Sequence, residues 1–394
     1  MRKIIPNLSL FVLILLGFTQ KTHANHLLGM DIQWKSAGND TFLITITAYR
    51  RCTDGADNIS YPNFSITSDS CASSNVVHYG SAISHTVEDI TPICPTAQKI
   101  CPSSGGSGQS TALIPMGIER HIWIYKIYLG DTFANCCWYK IRTDMCCRNS
   151  NITTGYADAN FYTESWLNHC IAPYDNGPEF RNPPIAIKCA GQDVCYNQGV
   201  YDADGDSLSF AMAPPLGGGY SSPWSYNYPL TCLGGNNPNP NANPPTGFNL
   251  DPRTCEMCFR PMQVQNTVMK VMVTEWRKNA QGKYKVIGKT ARDMQFSIVQ
   301  NCNNKLPSLS GPFAYEACAG QEICITINTN DQDLTDSTKI SWNEGIPGAT
   351  WNANNGTVKR ATGTLCWTPT TNDASSLPHY FTASASDNHC PLVG

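Results

Sequence analysis

The residues of this chain whose types and spacing could do chemistry are carboxylates. Asp202, Asp204 and Asp206 alternate through DADGDSLSF, and Asp331, Asp333 and Asp336 recur in DQDLTD. Alternate acids in a tight turn can converge their oxygens, and clustered hard oxygens are what calcium takes. The spacing is not that of an EF-hand, which needs a bidentate Glu at its twelfth position, where this chain has Ala213. The plainer reading is an Asx turn that reverses the chain between strands, and both readings stand on sequence alone. Calcium is the one cofactor the pattern suggests.

Two other residue sets invite a chemical reading. Cys255 and Cys258 form a C-x-x-C, and Cys136-Cys137 with Cys146-Cys147 could supply four thiolates to zinc. In an oxidising compartment disulfides are the favoured outcome for all of them. Tyr220, Trp224, Tyr226 and Tyr228 crowd a loop rich in Pro, Gly and Asn, where exposed aromatics could form a recognition surface. A loop packed on its own side chains is the competing reading. No G-x-S-x-G elbow or H-E-x-x-H is present, and Gly105-Gly106-Ser107-Gly108 lacks the Lys of a phosphate loop. Catalysis is therefore not expected.

The elements that must position these residues read as strands. In Thr41 to Tyr49 the apolar Phe42, Ile44, Ile46 and Ala48 share one face of an extended segment. Ile122 to Leu129, Val268 to Trp276 and Asp293 to Val299 follow the same period, the last with Met294, Phe296 and Ile298 on one side and Gln295 and Ser297 on the other. Trp123, Trp138, Trp276 and Trp367 lie inside such patterns and are expected to pack rather than to form a carbohydrate platform. No long amphipathic helix is visible. Short strands between Gly, Pro, Asn and Asp clusters predict an all-β, disulfide-rich chain built of sandwiches.

The chain opens with Arg2 and Lys3, an apolar core from Leu8 to Phe18, and Thr22-His23-Ala24, a signal-peptide pattern with cleavage expected after Ala24. That core is too short for a spanning helix, which needs roughly 20 residues, and no later segment is a candidate span. All 19 cysteines follow it, which agrees with export. The odd number leaves at least one thiol free, paired between chains, or without its partner. A net charge of -3 with 14% charged residues gives no basic field for nucleic acid or an anionic membrane.

An internal repeat organises the second half. Cys189 to Cys195 reads CAGQDVC and Cys318 to Cys324 reads CAGQEIC, an offset of 129 residues that also relates Asp202 to Asp331. The offset falls to 108 at Cys258-Phe259-Arg260-Pro261 and Cys366-Trp367-Thr368-Pro369, because the loop from Ala213 to Thr246 has only a short counterpart. Matched positions favour bridges Cys195 to Cys258 and Cys324 to Cys366, with Cys189 to Cys302 tying the ends of the first copy. The second copy stops at Gly394 without an equivalent of the strand Lys289 to Gln300, so the sequence reads as the front part of a longer protein.

Several short motifs fall in an order that resembles large secreted or cell-surface proteins of Bacteroidota labelled gliding motility-associated, with Ig-like, PKD-like or cadherin-like repeats. They are Asn25-His26-Leu27-Leu28-Gly29, Cys146-Cys147-Arg148-Asn149, DADGDSLSF, Glu275-Trp276-Arg277 and Arg292-Asp293-Met294-Gln295-Phe296. The resemblance implies type IX export through a C-terminal sorting domain, which is not among these residues.

The expected organisation is a signal peptide over 1–24, an N-terminal cysteine-rich, β-sandwich-like domain over 25–181, and tandem Ig-like modules over 182–304 and 305–394. The expected role is structural and adhesive, secreted or on the outer cell surface, with a surface protein or glycan as partner. A non-catalytic accessory part of a secreted hydrolase and a carbohydrate-binding surface protein are the rival readings.

Overall fold

The computed structural model describes residues 26–394 except 54–58, 60, 69–76, 80, 112–113, 131–135, 185, 301 and 376–377. The expected signal peptide and its cleavage site lie outside the described residues. The first strands are β1 (Leu27–Gly38), β2 (Thr41–Arg51), β3 (Asn63–Thr67), β4 (Val77–Tyr79), β5 (Ser84–Asp89), β6 (Ile118–Tyr128), β7 (Trp138–Met145), β8 (Phe161–Asn168) and β9 (Glu179–Phe180). The middle stretch holds β10 (Ala186–Cys189), β11 (Val194–Asn197), β12 (Val200–Tyr201), β13 (Ser207–Ala213), β14 (Asn249–Leu250), β15 (Glu256–Phe259), β16 (Gln265–Lys278) and β17 (Tyr284–Val299). The last holds β18 (Ser308–Ser310), β19 (Ile323–Asn330), β20 (Lys339–Trp342), β21 (Thr350–Ala353), β22 (Thr362–Trp367) and β23 (Ala383–Ser386). The chain is all-β: its helical content among the described residues is two single 3₁₀ turns. No helix there is long and apolar enough to cross a membrane.

Strand alternation builds the first core. Phe42, Ile44, Ile46 and Ala48 all turn inward from β2 and are fully buried, as the period of two requires. They meet Met30, Ile32 and Trp34 of β1, Trp123 and Tyr125 of β6, and Tyr139 and Ile141 of β7. Fully burying one such aliphatic or Phe side chain contributes about 1.5–3 kcal/mol, so this cluster holds the first unit together.

One sheet runs in the order β4-β3-β7-β8-β17-β1-β2-β6-β5, with β16, β13 and β10 attached through β17. The sheet thus continues across residue 182, where a domain boundary was expected, because the long β17 pairs with β8, β1, β10 and β16 in turn. The apolar cores remain separate, one within 27–167 and one within 180–298. The shared position of β17 also changes its expected pattern. Gln295 and Ser297 are buried like Met294 and Phe296, and on that side the Asn149 side-chain amide donates to Gln295 Oε1 at 3.5 Å.

Two buried ion pairs fix this seam, and they account for motif residues that no chemistry explained. Arg148 grips Asp293 through two hydrogen bonds of 2.9 and 2.6 Å. Its neighbour Arg292 donates to Asp31 at 3.0 Å and to the Asn182 carbonyl at 2.6 Å. All four side chains are essentially without solvent exposure.

The middle unit is a two-layer sandwich, with β13-β16-β17-β10 facing β11-β15-β14 across Val194, Phe259, Val271 and Phe296. The third is a smaller one, with β18-β19-β22-β21 facing β20-β23 across Ile325, Ile327 and Ile340. Both are Ig-like in this layered construction. The third unit returns to the first: Cys94 is bonded to Cys390, Ile93 bridges Leu392, and the Val393 amide donates to the Pro92 carbonyl at 3.0 Å.

Candidate metal centre

The turn between β12 and β13 carries Asp202, Asp204 and Asp206. Its backbone is held by the Asp202 carboxylate, whose Oδ1 accepts the amides of Asp204 and Asp206 at 3.0 Å each. Gly205 takes the reversal at φ +78°, a conformation that favours glycine. So far this is the Asx turn of the plainer reading. It leaves the other oxygen of Asp202 unexplained, because Oδ2 is buried and has no hydrogen-bond partner.

Residues distant in sequence complete the cluster. Asp175 comes from the segment after β8 and is positioned by the indole of Trp34, whose Nε1 donates to its Oδ2 at 3.2 Å. Glu275 and Arg277 come from β16. Glu275 has no solvent exposure and continues the inward face of Val271 and Val273, an acid at a core register. Across the strand pair its neighbour is Gly288, where any Cβ would collide with the Glu275 carboxylate and with Trp34.

These groups divide into an outer and an inner set. In the outer set the Arg277 guanidinium donates to Asp175 at 2.7 Å, to Asp204 at 3.3 Å and to both oxygens of Asp206. Asp204 is further engaged by the amide and side chain of Asn176 at 2.9 and 2.8 Å. In the inner set, Asp202, Asp206 and Glu275 each bring a carboxylate oxygen within 4.8 Å of the others. Among the described residues, no N–H or hydroxyl donates to either oxygen of Glu275, whose carboxyl instead meets that of Asp202. Burial pushes Glu275 far above the ordinary carboxylate range, and the charges of Asp175 and Asp202 push it further. Burial likewise raises Asp202, against the amide bond from Asp206, and Asp175, against the charge of Arg277.

The second turn is arranged differently. The Asp333 amide donates to Asp331 at 2.8 Å, repeating the local turn. Here Arg360 lies across the turn and donates to the carbonyls of Asp331, Asp333 and Asp336, while His389 contacts Asp336 at 2.8 Å. The strand position opposite Leu208 in the first unit is Glu275; opposite the corresponding Ile340 it is Ala385. The second turn thus lacks a counterpart of Glu275, although Asp331 Oδ2, like Asp202 Oδ2, is buried without a hydrogen-bond partner.

No family model and no curated protein matches the chain. Among solved structures it is weakly similar to proteins with tandem immunoglobulin domains. The two tandem V-type regions of VCBP3, a v-region-containing chitin binding protein, share 8% identity over 68% of this chain and 98% of that chain, at a TM-score of 0.26. Sidekick-1 immunoglobulin domains 1–4 share 9% over 86% and 64%, at 0.20. Dpr2 Ig1-Ig2, solved in complex with DIP-Theta, shares 11% over 53% and 95%, at 0.19. At these scores the likeness carries no argument, and the description of the fold rests on the strands themselves.

The aromatic loop does not gather its side chains on one surface. Tyr220 packs edge-on against Tyr156 and donates to the Val268 carbonyl at 2.6 Å, so it anchors the loop inward. Trp224 is half-buried and donates to Thr231, Tyr228 is half-buried beside Ser225, and Tyr226 is exposed.

Most of the described cysteines are paired. Cys195 is bonded to Cys258, Cys324 to Cys366 and Cys189 to Cys302. Cys137 is bonded to Cys170, Cys146 to Cys147, and Cys136 is also in a disulfide, so Cys136, Cys137, Cys146 and Cys147 form no thiolate centre. Cys255 is a buried free thiol, as is Cys232, and Cys318 is an exposed one. Trp123 is fully buried and Trp276 donates to Ser209 at 2.8 Å.

Sequence reasoning did not find Asp175 and Glu275 as partners of the turn. Glu275 had a readable signal, an acid in phase with buried valines. Asp175 had none, since only the fold brings it there.

Proposed function

We infer that the chain is a structural and adhesive protein, secreted or held on the outer cell surface, whose stiff β units present a surface to a protein or glycan partner. The observation that supports this reading best is the return of the third unit to the first through Cys94–Cys390 and the paired backbone around it. A chain of three units closed in this way resists bending, which suits display more than turnover. Seven disulfides join described cysteines, and such bonds persist where thiols are oxidised, outside the cytosol. On this reading the export route is type IX secretion and the setting is surface attachment or gliding, as the resembling family implies.

The test is made on intact cells. A membrane-impermeant biotin reagent is expected to label the chain, and deletion of its locus is expected to reduce attachment or spreading. An unlabelled chain recovered from the cytosol, or unchanged attachment, spreading and surface composition after deletion, would overturn the reading.

A further inference from the structure

We propose that Asp202, Asp206 and Glu275 form a calcium site that fastens the turn after β12 to β16. The Asx turn uses only Oδ1 of Asp202, and Arg277 reaches Asp175, Asp204 and Asp206 but neither Asp202 nor Glu275. What remains is a set of carboxylate oxygens facing one another: Asp202 Oδ2 and both oxygens of Glu275, buried and without a protein N–H or hydroxyl donor, with Asp206 shared between the two sets. A buried acid without a partner is costly unless a cation or a proton compensates it.

The donor set favours calcium as that cation. All the donors are hard carboxylate oxygens, with no thiolate or imidazole to select zinc or copper. Calcium–oxygen distances of about 2.3–2.6 Å let two ligands of one ion stand up to roughly 5 Å apart, and the three carboxylates lie within 4.8 Å of one another. Magnesium demands a tighter octahedron and gives up its water reluctantly. The second turn supplies a partial contrast: Asp331 Oδ2 is likewise buried without a partner, but Ala385 stands at the strand position that Glu275 takes in the first unit. The site differs from a reading based on alternate aspartates alone: Asp204 stands outside it and Glu275 inside.

The experiment is equilibrium dialysis of the purified full chain against calcium chloride at pH 7.5, with thermal unfolding in parallel. One ion per chain is expected in the range of about 10⁻⁴–10⁻³ M typical of extracellular modules. Glu275→Gln is expected to weaken binding at least tenfold, and Asp333→Asn in the second turn to leave it unchanged. In about 10 mM calcium the parent's midpoint is expected to rise by about 3–5 °C over that in chelator, with a smaller rise in magnesium. The midpoint shift is read on the parent chain, so it decides the matter even where Glu275→Gln fails to fold. Absence of calcium binding and of any shift would overturn the proposal and leave a shared proton as the compensation. A folded Glu275→Gln that binds like the parent would overturn it equally.

Discussion

Replacing Arg148 by Met is expected to remove about 3 kcal/mol of stability from the seam between the first two units. Arg148 and Asp293 are 1% and 0% exposed, joined by two short hydrogen bonds, and the guanidinium lies 4.0 Å above the ring of Phe161. Met restores much of the volume but leaves Asp293 as a buried charge, and breaking a buried pair from one side costs about 3–5 kcal/mol. Lys270 stands opposite Asp293 in the strand register and is itself buried, so its charge offsets part of the loss and places it at the lower end. Converting both partners, Arg148→Met with Asp293→Leu, removes the stranded charge and is expected to recover most of the stability. The assay is urea unfolding followed by tryptophan fluorescence in non-reducing buffer, supported by a thermal scan in which the single variant melts about 6–12 °C lower. A single variant within 1 kcal/mol of the parent, or a double variant no more stable than the single, would refute the assignment of this pair as the seam's fastening.

Glu119 gives a pH prediction. Burial would raise its carboxyl, but the His121 ring at 3.6 Å and hydrogen bonds from the Ser103 amide and Arg50 outweigh this and hold it down from 4.5 to about 2. Because the folded value is the lower one, its contribution is present above about 4.5 and fades as pH falls toward 2; at about 1.36 kcal/mol per pH unit it is on the order of 3 kcal/mol. Glu119→Gln should therefore be less stable than the parent at pH 6 and approach it near pH 2.5, and a difference independent of pH would contradict this. In the aromatic loop, Tyr220→Ala is expected to cost about 2–3 kcal/mol through lost packing and the lost hydrogen bond to the Val268 carbonyl, whereas exposed Tyr226→Ala should fall within about 0.5 kcal/mol of the parent. Equal losses in the two variants, measured by urea unfolding, would contradict the inward anchoring of the loop.

What the sequence disclosed was whatever local period controls. The inward face of β2 could be read from Phe42, Ile44, Ile46 and Ala48, because alternation alone decides which side of a strand is apolar. The all-β class followed from the same rule applied along the chain. The pairing of β1 with β17 could not be read, since Gly29 and Met294 meet across most of the chain and no local preference specifies such a contact. For the same reason Gln295 looked solvent-facing, whereas the fold buries it and brings the Asn149 amide to its Oε1. The acidic cluster divides along the same line. Asp202, Asp204 and Asp206 announced themselves by spacing, while Asp175 and Glu275 arrive from distant segments and reverse the importance of the three, moving Asp204 to the rim.

If the β units are locked into one stiff body, peptide mapping of the protein under non-reducing conditions must show it. A disulfide-linked pair of peptides carrying Cys94 and Cys390 is the expected result. Recovery of either cysteine as an alkylated free thiol, or joined to a different partner, would contradict it.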